Sequence, residues 1–297
     1  MIRWGIDLGG TKIEGVVIDT NSKNKVLARI RIPTESEKGY KHVLNQIKEL
    51  LDLLSTQTHL IPTKVGIGTP GSIHPETGLL KGSNSEHLNN KPILQDLIEL
   101  LNIEIRIAND ANCFALAEAM MGVVQDECPS AKVVFGVIIG TGVGGGLVVH
   151  GQIINGANGI SGEWGHNFLD ESGGSCYCGK TGCVETIIAG PALEKYYSIL
   201  SGETRNLHEI NVRRDNDVNA EKTITRLINN FGIAISTIIN MIDPDAIIIG
   251  GGVGNIDLLY TKGVDAIKKH VFNPDCKTMI LKPKLGDSAG VYGAAFL

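Results

Sequence analysis

The amino-acid sequence predicts an α/β protein made of two similar lobes with a cleft between them. Strand-like and helix-like segments alternate along 297 residues, a length that suits two lobes of ordinary size. A strand, a glycine-rich turn and a second strand follow one another at 5–17 and again at 135–149. A duplicated lobe is the simplest explanation, with an N-terminal lobe at 1–121 and a C-terminal lobe at 122–297.

The N-terminal lobe is expected to form a sheet covered by helices. Its predicted strands are 2–8, 13–19, 25–33, 64–68 and 105–108. A helix is predicted over 37–56, because apolar residues recur there every three or four positions. A second helix is predicted to begin at Asp110 and to end near Met121.

The C-terminal lobe repeats the pattern. Its predicted strands are 133–139, 147–150 and 246–249, and its predicted helices are 223–241 and 289–296. We expect the last helix to pack back on the N-terminal lobe. The polar segment 201–218 is predicted to be a surface loop.

Composition excludes several classes of function. The net charge is −5 and the pI is near 5.9, which argues against nucleic acid or an anionic membrane as the main partner. No secretory signal opens the chain, and no apolar run reaches the ~18 residues of a membrane span. Three further cysteines, Cys113, Cys128 and Cys276, lie far apart. A reduced, cytoplasmic protein is expected.

Three cysteines and one histidine predict a structural zinc site. The expected ligands are His166, Cys176, Cys178 and Cys183. A coincidental cluster or a disulfide is the alternative, but Cys176 and Cys178 are too close in sequence for an easy disulfide. Four protein ligands leave no position for water, so this zinc would brace a loop that holds Glu163 and Glu185 in place.

A turn after the first strand is a candidate phosphate site. Gly9 and Gly10 let backbone N–H groups approach a phosphate, and Thr11 and Lys12 follow them. Asp7 is suited to hold Mg²⁺, directly or through water. The alternative is an ordinary β-hairpin turn.

A second glycine turn begins at Gly140, Thr141 and Gly142 and formally satisfies the G-x-G-x-x-G pattern. A dinucleotide site needs a helix after these glycines, whereas the residues at 147–149 are typical of a strand, so we expect a phosphate-binding hairpin. No P-loop sequence is present. A third turn, Gly250, Gly251 and Gly252, follows an apolar strand and would let an adenine lie close, unless it only makes the loop flexible.

Asp110 is the candidate catalytic base. It lies where a predicted strand passes into a helix, and the carboxyl ends of strands in α/β sheets are where ligands bind. Its carboxylate could accept the proton of a sugar hydroxyl during phosphoryl transfer, and Asn109 could bind neighbouring hydroxyls. A helix cap is the alternative role of this aspartate.

Together these residues resemble the ROK family of sugar kinases and repressors. The resemblance runs nearly end to end, and its most specific marks are Glu163-x-Gly165-His166 and Cys176-x-Cys178-Gly179-x-x-Gly182-Cys183-x-Glu185. It implies the actin-like (RNase H-like) two-lobe fold, Asp110 as the base, ATP and Mg²⁺ as cofactors, and a homodimer. The implied sugar-site residues are Gly71, Asn84, Asn109, Asp110, Glu163, His166 and Glu185. The residues implied on the ATP side are Asp7, Gly9, Gly10, Thr11, Lys12, Gly140, Thr141, Gly142, Gly250, Gly251 and Gly252.

Within the family, the stretches 68–78 and 162–167 are most similar to the fructokinase/mannokinase branch. Fructose is therefore the first expectation for the hexose phosphorylated at its 6-hydroxyl, with N-acetylglucosamine, glucose and mannose as alternatives. His87 departs from that branch, whose members often carry Trp there.

Two other classes of function compete with the kinase. A sugar-sensing regulator would need a DNA-binding helix-turn-helix, and only six residues precede Asp7. A non-catalytic actin-like assembly protein would need neither the polar pocket nor the cysteine loop. An ATP-dependent hexose kinase is the main expectation.

Overall fold

The computed structural model describes residues 1–83, 85–273 and 275–297. The strands are β1 (Ile2–Leu8), β2 (Lys12–Asp19), β3 (Lys25–Pro33), β4 (Lys64–Thr69), β5 (Ser72–Ile73), β6 (Leu80–Lys81), β7 (Glu104–Asn109), β8 (Val133–Ile139), β9 (Val143–Val149), β10 (Gln152–Ile153), β11 (Ala246–Gly250) and β12 (Met279–Leu281). The helices are α1 (Tyr40–Thr58), α2 (Ile93–Leu101), α3 (Asp110–Met120), α4 (Val123–Glu127), α5 (Glu185–Ile188), α6 (Gly190–Ser201), α7 (Leu207–Arg213), α8 (Val218–Ile242), α9 (Lys262–Lys268) and α10 (Ala289–Ala295).

The chain divides into two compact units. The first contains Met1–Glu127, Gly151–Ser161 and Lys284–Leu297, and the second contains Cys128–His150 and Gly162–Pro283. A boundary at residue 121 differs from this division in two respects. Helix α4 continues the first unit to Glu127, and two later segments belong to it as well. One of them, Lys284–Leu297, contains the last helix, which was expected to pack on this lobe, whereas the return of Gly151–Ser161 was not expected from local sequence patterns.

The sheet of the first unit has the strand order β3-β2-β1-β4-β7. Strands β1, β2 and β3 form an antiparallel meander, whereas β4 and β7 run parallel to β1. Helix α1 covers one face with the apolar residues predicted from its spacing, including Val43, Ile47 and Leu50. The carboxyl ends of β1, β4 and β7 therefore meet at one edge of the sheet, where Asp7 and Asn109 lie.

Helix α10 packs against this sheet with its backbone unusually close. A Cβ added to Gly66 on β4 would lie 1.8 Å from the carbonyl oxygen of Ala294, and one added to Gly5 would lie 2.4 Å from that of Val291. A Cβ on Gly293 would lie 1.8 Å from the carbonyl oxygen of Cys113 on α3. Glycine is required at these positions because no side chain fits between the elements.

The second unit repeats the arrangement around its own core. Its strands follow the order β9-β8-β11-β12, with an antiparallel β8–β9 hairpin and parallel β11 and β12. The order β2-β1-β4-β7 in the first unit has the same directions. The long helix α8 supplies much of the core, including Leu227, Phe231 and Ile235. The duplication expected from the glycine turns is confirmed at the level of strand order.

The segment 201–218 is not a simple surface loop, because it contains helix α7. Asn206 accepts a hydrogen bond from the N–H of Glu209, and the Glu209 carboxylate accepts one from the N–H of Asn206. This capping box, together with the buried Ile210, stabilises a short helix within a polar stretch. Helix α8 also begins earlier than predicted, at Val218, because Asp217 caps it.

Among the described residues, no helix combines the length and the apolarity needed to cross a membrane.

Candidate active site

Three carboxyl groups lie together at the edge of the first sheet. Asp7 is the penultimate residue of β1, Asp110 begins α3, and Glu14 pairs with Asp7 across the β1–β2 hairpin. Arg31 Nη2 lies 2.8 Å from Glu14 Oε2, and Arg29 also pairs with this buried carboxylate. Glu14 thus has two cationic partners.

The electrostatics of this edge are unusual for aspartates. Burial, followed by the charges of Asp110 and Glu14, raises the pKa of Asp7 to about 6, against an ordinary value of 3.8. Desolvation by the surrounding protein also raises the pKa of Asp110, although part of this residue is exposed to solvent. Two neighbouring carboxylates that resist ionisation favour the arrival of a cation or of a hydroxyl proton.

Asn109, not Asp110, is the helix cap of α3. The Asn109 Oδ1 accepts a hydrogen bond of 2.8 Å from the N–H of Asn112. Asp110 is the first helical residue, and its Oδ1 accepts from its neighbour Ala111 at 2.8 Å. The capping alternative therefore applies to Asn109, and the carboxylate of Asp110 does not have to close the helix end.

Two hydrogen bonds to backbone carbonyl groups fix the turn after Asp7. The Gly9 N–H donates to the Lys12 carbonyl, and the Thr34 hydroxyl donates to the Gly9 carbonyl at 2.7 Å. Gly10, Thr11 and Lys12 are exposed around this turn. The turn thus has the β-hairpin structure of the alternative interpretation. Phosphate binding at its exposed tip stays a prediction.

The second unit contains a cavity of about 720 Å³ at its glycine turns. It is lined by Gly140, Thr141, Gly190, Pro191, Glu194, Asn206, Leu207, His208, Asn211, Gly252, Val253, Asn255 and Ile256. The volume lies within the range of small-molecule and cofactor sites. The lining combines open backbone with amides and one imidazole, a chemistry suited to a nucleotide.

Only part of the predicted glycine set reaches this cavity. An added Cβ at Gly140 or Gly252 would meet nothing within 4 Å, so both leave space for a ligand. Gly250 lies within β11, and Gly251, at φ +82°, lies against the backbone of Ile139. These two glycines therefore allow β11 to end against β8, a packing role rather than a place in the lining.

The predicted metal ligands converge. Donor atoms of His166, Cys176, Cys178 and Cys183 all lie within 4.8 Å of one another. Cys178 Sγ and Cys183 Sγ are 3.6 Å apart, as are Cys176 Sγ and His166 Nδ1. A tetrahedral zinc with Zn–S bonds of ~2.3 Å separates its ligand atoms by about 3.8 Å, whereas a disulfide would need ~2.0 Å. The cluster fits zinc and does not fit a disulfide.

Tyr177 orients the histidine of this cluster. Its hydroxyl lies 3.0 Å from His166 Nε2, and the two rings meet edge to face. His166 Nδ1 is left to face Cys176, the arrangement that metal-bound histidines adopt with a partner on the second nitrogen. Desolvation of the hydroxyl, then the charges of Glu185 and Glu163, raise the pKa of Tyr177, which places both acidic residues near it.

Glu185 begins α5 and reaches the other glycine turn of its unit. Its Oε2 accepts a hydrogen bond of 2.9 Å from the N–H of Val143. Glu163 precedes the short 3₁₀ helix Trp164–His166, and the Trp164 ring N–H donates to the Gly144 carbonyl at 2.9 Å. Both predicted sugar ligands are thus attached to segments anchored on the β8–β9 hairpin.

Of two further predicted sugar-site residues, the structure describes Gly71 but not Asn84. Gly71, at φ +89°, lies against the 81–83 backbone, where an added Cβ would be 2.4 Å from the Lys81 carbonyl oxygen. A side chain there would displace the β5–β6 hairpin. Asn84 lies outside the described residues.

Sequence reasoning did not identify several residues of these sites. Glu14 could have been predicted as a neighbour of Asp7, because the two residues pair across a hairpin whose strands were predicted from the sequence. Tyr177 had only its position between two cysteines as a signal. The cavity residues Asn206, His208 and Asn211 were hidden because their segment was interpreted as a loop.

Comparisons with known proteins give a consistent result. The model of the ROK family matches residues 3–297. The N-acetyl-D-glucosamine kinase of Histophilus somni (strain 129Pt) is 36% identical, covering 99% of this chain and 98% of that protein. The N-acetyl-D-glucosamine kinase of Pasteurella multocida (strain Pm70) is also 36% identical, covering 100% and 99%.

A solved structure supports the architecture. The ROK hexokinase from Thermus thermophilus superposes with a TM-score of 0.89 at 28% identity, covering 100% of this chain and 97% of that one. The actin-like ATPase fold expected from the resemblance is confirmed. With a match over nearly its whole length, this chain belongs to the ROK family.

Proposed function

We propose that this protein is an ATP-dependent kinase that phosphorylates the 6-hydroxyl of N-acetyl-D-glucosamine. The observation that carries the proposal is the 36% identity, over nearly the whole of both chains, to relatives named as N-acetyl-D-glucosamine kinases. The neighbouring carboxyl groups of Asp7 and Asp110, with their raised pKa values, and the nucleotide-sized cavity are consistent with it.

The comparisons favour this substrate over fructose, the first expectation from the sequence. That expectation depended on the similarity of the stretches 68–78 and 162–167 to the fructokinase/mannokinase branch. His87 stands where members of the fructokinase branch often carry Trp, and this difference argues against fructose. Glucose, mannose and fructose enter the test as competitors.

In the proposed reaction Asp110 accepts the proton of the 6-hydroxyl. Desolvation by the surrounding protein raises the pKa of this carboxylate, which makes its ionised form a stronger base than an aspartate with the ordinary pKa. As the proton leaves, the hydroxyl oxygen attacks the γ-phosphorus of ATP and ADP departs. Asn109, Glu163 and Glu185 are proposed to hold the remaining hydroxyls and the acetamido group of the hexose.

The residues proposed for the nucleotide lie on two elements. Gly9, Gly10, Thr11 and Lys12 form the exposed hairpin tip next to Asp7. Gly140, Thr141 and Gly252 line the cavity of the second unit, where open backbone can approach a phosphate. Asp7 would hold Mg²⁺, which neutralises the negative charge on the phosphates during transfer.

Zinc is proposed for the cluster of His166, Cys176, Cys178 and Cys183, whose donors fit a tetrahedral site. All four positions would be filled by protein, so its role would be structural. It would fix the segment between Glu163 and Glu185.

The test is ATP consumption, coupled to ADP detection, with Mg²⁺ and each of N-acetyl-D-glucosamine, glucose, mannose and fructose. We expect N-acetyl-D-glucosamine to lead in kcat/KM by tenfold or more, which corresponds to about 1.4 kcal/mol of transition-state preference. A lead by another hexose would reject the proposed substrate and keep the kinase. Absence of turnover with all four would reject the kinase among these hexoses and favour a sugar-sensing protein.

A further inference from the structure

The glycine turn between β8 and β9 is held from both ends by one neighbouring segment. At its far end, Val143 N–H donates to Glu185 Oε2 at 2.9 Å. At its near end, the carbonyl of Gly140 accepts from the N–H of Gly190 at 2.9 Å. The span of residues 185–190 therefore clamps the turn that lines the proposed nucleotide cavity.

The carboxylate lies directly against the turn. A Cβ added to Gly142 would be 2.6 Å from Glu185 Oε2 and 3.5 Å from its carboxyl carbon. The backbone of Gly142 has an ordinary negative φ, so left-handed geometry does not explain the glycine. Contact with Glu185 explains why residue 142 is glycine, because any other side chain would push the carboxylate away from the Val143 N–H.

The same residue is joined to the cysteine loop. Cys183, a member of the metal cluster, lies two positions before Glu185 in the chain. The Thr186 hydroxyl donates to the Cys183 carbonyl at 2.8 Å, which ties the first turn of α5 to that cysteine. Glu185 thus stands between the loop that carries the proposed hexose ligands and the turn that faces the nucleotide.

We infer that Glu185 is a positioning residue for the nucleotide, holding the Gly140–Thr141–Gly142 turn in its binding shape through the Val143 N–H. The inference rests on the proposed function, which assigns Glu185 to the hexose as well. One carboxylate shared by two ligands couples their affinities, because a ligand that fixes Glu185 also fixes the turn.

The experiment measures nucleotide affinity with no sugar present. Zinc-loaded protein is titrated calorimetrically with a non-hydrolysable ATP analogue and Mg²⁺. Glu185→Ala is expected to raise the Kd about tenfold, the effect of losing one charge-assisted hydrogen bond. Glu185→Gln keeps an oxygen that can accept from Val143 and is expected to stay within about threefold of wild type.

Glu163→Ala is the matched control. It removes a carboxylate of the same size from the same unit, near the metal ligand His166, and the Val143 N–H keeps its bond to Glu185. Its nucleotide Kd is expected to stay within about twofold of wild type. A purely electrostatic effect of lost negative charge would instead change both variants alike.

A double-mutant cycle isolates the contact. Gly142→Ala in the wild type forces a Cβ into Glu185 and is expected to weaken nucleotide binding about tenfold. In the Glu185→Ala background the obstacle is gone, so the same substitution is expected to cost less than threefold. Zinc content is measured for each variant by mass spectrometry.

The outcomes distinguish a failure of this inference from a failure of the proposed function. If the wild type binds the analogue and Glu185→Ala binds it equally well, the inference is wrong and the proposed kinase stands. Additive effects in the cycle also overturn it, whatever the zinc content. If the wild type fails to bind the analogue, the proposed function fails and the inference with it.

Discussion

At the scale of single residues, the chemistry of this protein concentrates in the carboxyl groups of Asp7 and Asp110. The two groups lie near each other, and the pKa of each is raised, that of Asp7 by desolvation and by the charge of Asp110, and that of Asp110 by desolvation. Asp110 is free of the capping role because Asn109 performs it. The local hydrogen bonds thus leave Asp110 suited to the role of a base.

Asp110→Asn is expected to keep the fold and to lower kcat by about 10²- to 10⁴-fold, because it removes the proton acceptor and preserves the shape. Steady-state kinetics with the preferred hexose measure this. Glu104→Gln is the control, since Glu104 begins β7, the strand that leads to Asp110, and its half-exposed side chain should leave kcat unchanged when it is changed. More than a tenth of wild-type kcat in Asp110→Asn would contradict the assignment.

The raised pKa of Asp7 predicts a pH dependence of stability. Between pH 3.8 and about 6 the folded protein holds a proton on Asp7 that the unfolded chain has released. The free energy of unfolding should therefore fall as pH rises through this window, by roughly 2 to 3 kcal/mol from this group alone.

Denaturant unfolding of the wild type and of Asp7→Asn at pH 4, 5, 6 and 7, without Mg²⁺, measures this contribution. The advantage of Asp7→Asn over the wild type should grow with pH and level off above pH 6. A difference that stays constant across the series would show that the pKa of Asp7 is not raised.

At the scale of elements, the placement of the functional residues depends on a metal loop and on a closely packed helix. The loop brings four donors to one point, and it begins and ends at Glu163 and Glu185. Helix α10 presses against β1 and β4 through glycines and places Gly290 beside the Asp7 carboxylate.

Cys178→Ser is expected to lose zinc and to raise the KM for the hexose, because Glu163 and Glu185 lose the loop that joins them. Metal analysis of the purified protein and initial-rate kinetics measure the two effects. Cys276→Ser, which lies outside the cluster, should retain zinc and normal kinetics. A zinc-free Cys178→Ser protein with an unchanged KM would disprove the link.

Gly66→Ala is expected to destabilise the protein by about 3 kcal/mol or more, since its Cβ would lie 1.8 Å from the carbonyl oxygen of Ala294 and backbone would have to move. Thermal unfolding measures the change. Gly140→Ala is the control, because its added Cβ meets nothing within 4 Å and the melting temperature should stay the same. Equal melting temperatures for the two variants would contradict the packing described here.

At the scale of the whole molecule, two units share one strand order and carry different parts of the proposed site. Asp7 and Asp110 belong to the first unit, and the glycine-lined cavity and the metal cluster belong to the second.

N-acetyl-D-glucosamine alone and Mg²⁺ with ADP alone should each raise the melting temperature, because each binds the folded protein in preference to the unfolded chain. A ligand at 100 times its Kd adds about 2.7 kcal/mol to the free energy of unfolding. Differential scanning fluorimetry over a concentration series measures the shifts, with fructose as the comparison sugar. A larger shift with fructose than with N-acetyl-D-glucosamine would contradict the proposed substrate.

The secondary structure was largely predictable because it depends on local patterns. The strands predicted at 13–19 and 133–139 are observed as Lys12–Asp19 and Val133–Ile139, and α1 lies where apolar spacing placed it. Helix α7 was missed because its single buried residue, Ile210, produces almost no periodicity. The residues of its capping box, Asn206 and Glu209, are visible in the sequence, but they lie within a polar stretch that did not indicate a helix.

The sequence by itself determined the glycine turns, the strand–turn–strand units that contain them and the four metal-ligand types with their spacing, because each depends on residues close together in the chain. Only the tertiary structure decided which groups act on each other over longer separations. It placed Asp7 beside Asp110, Glu185 against the turn at Gly142, and α10 against β4. These contacts join residues far apart in the chain, and their energies depend on burial and distance, which local patterns do not contain.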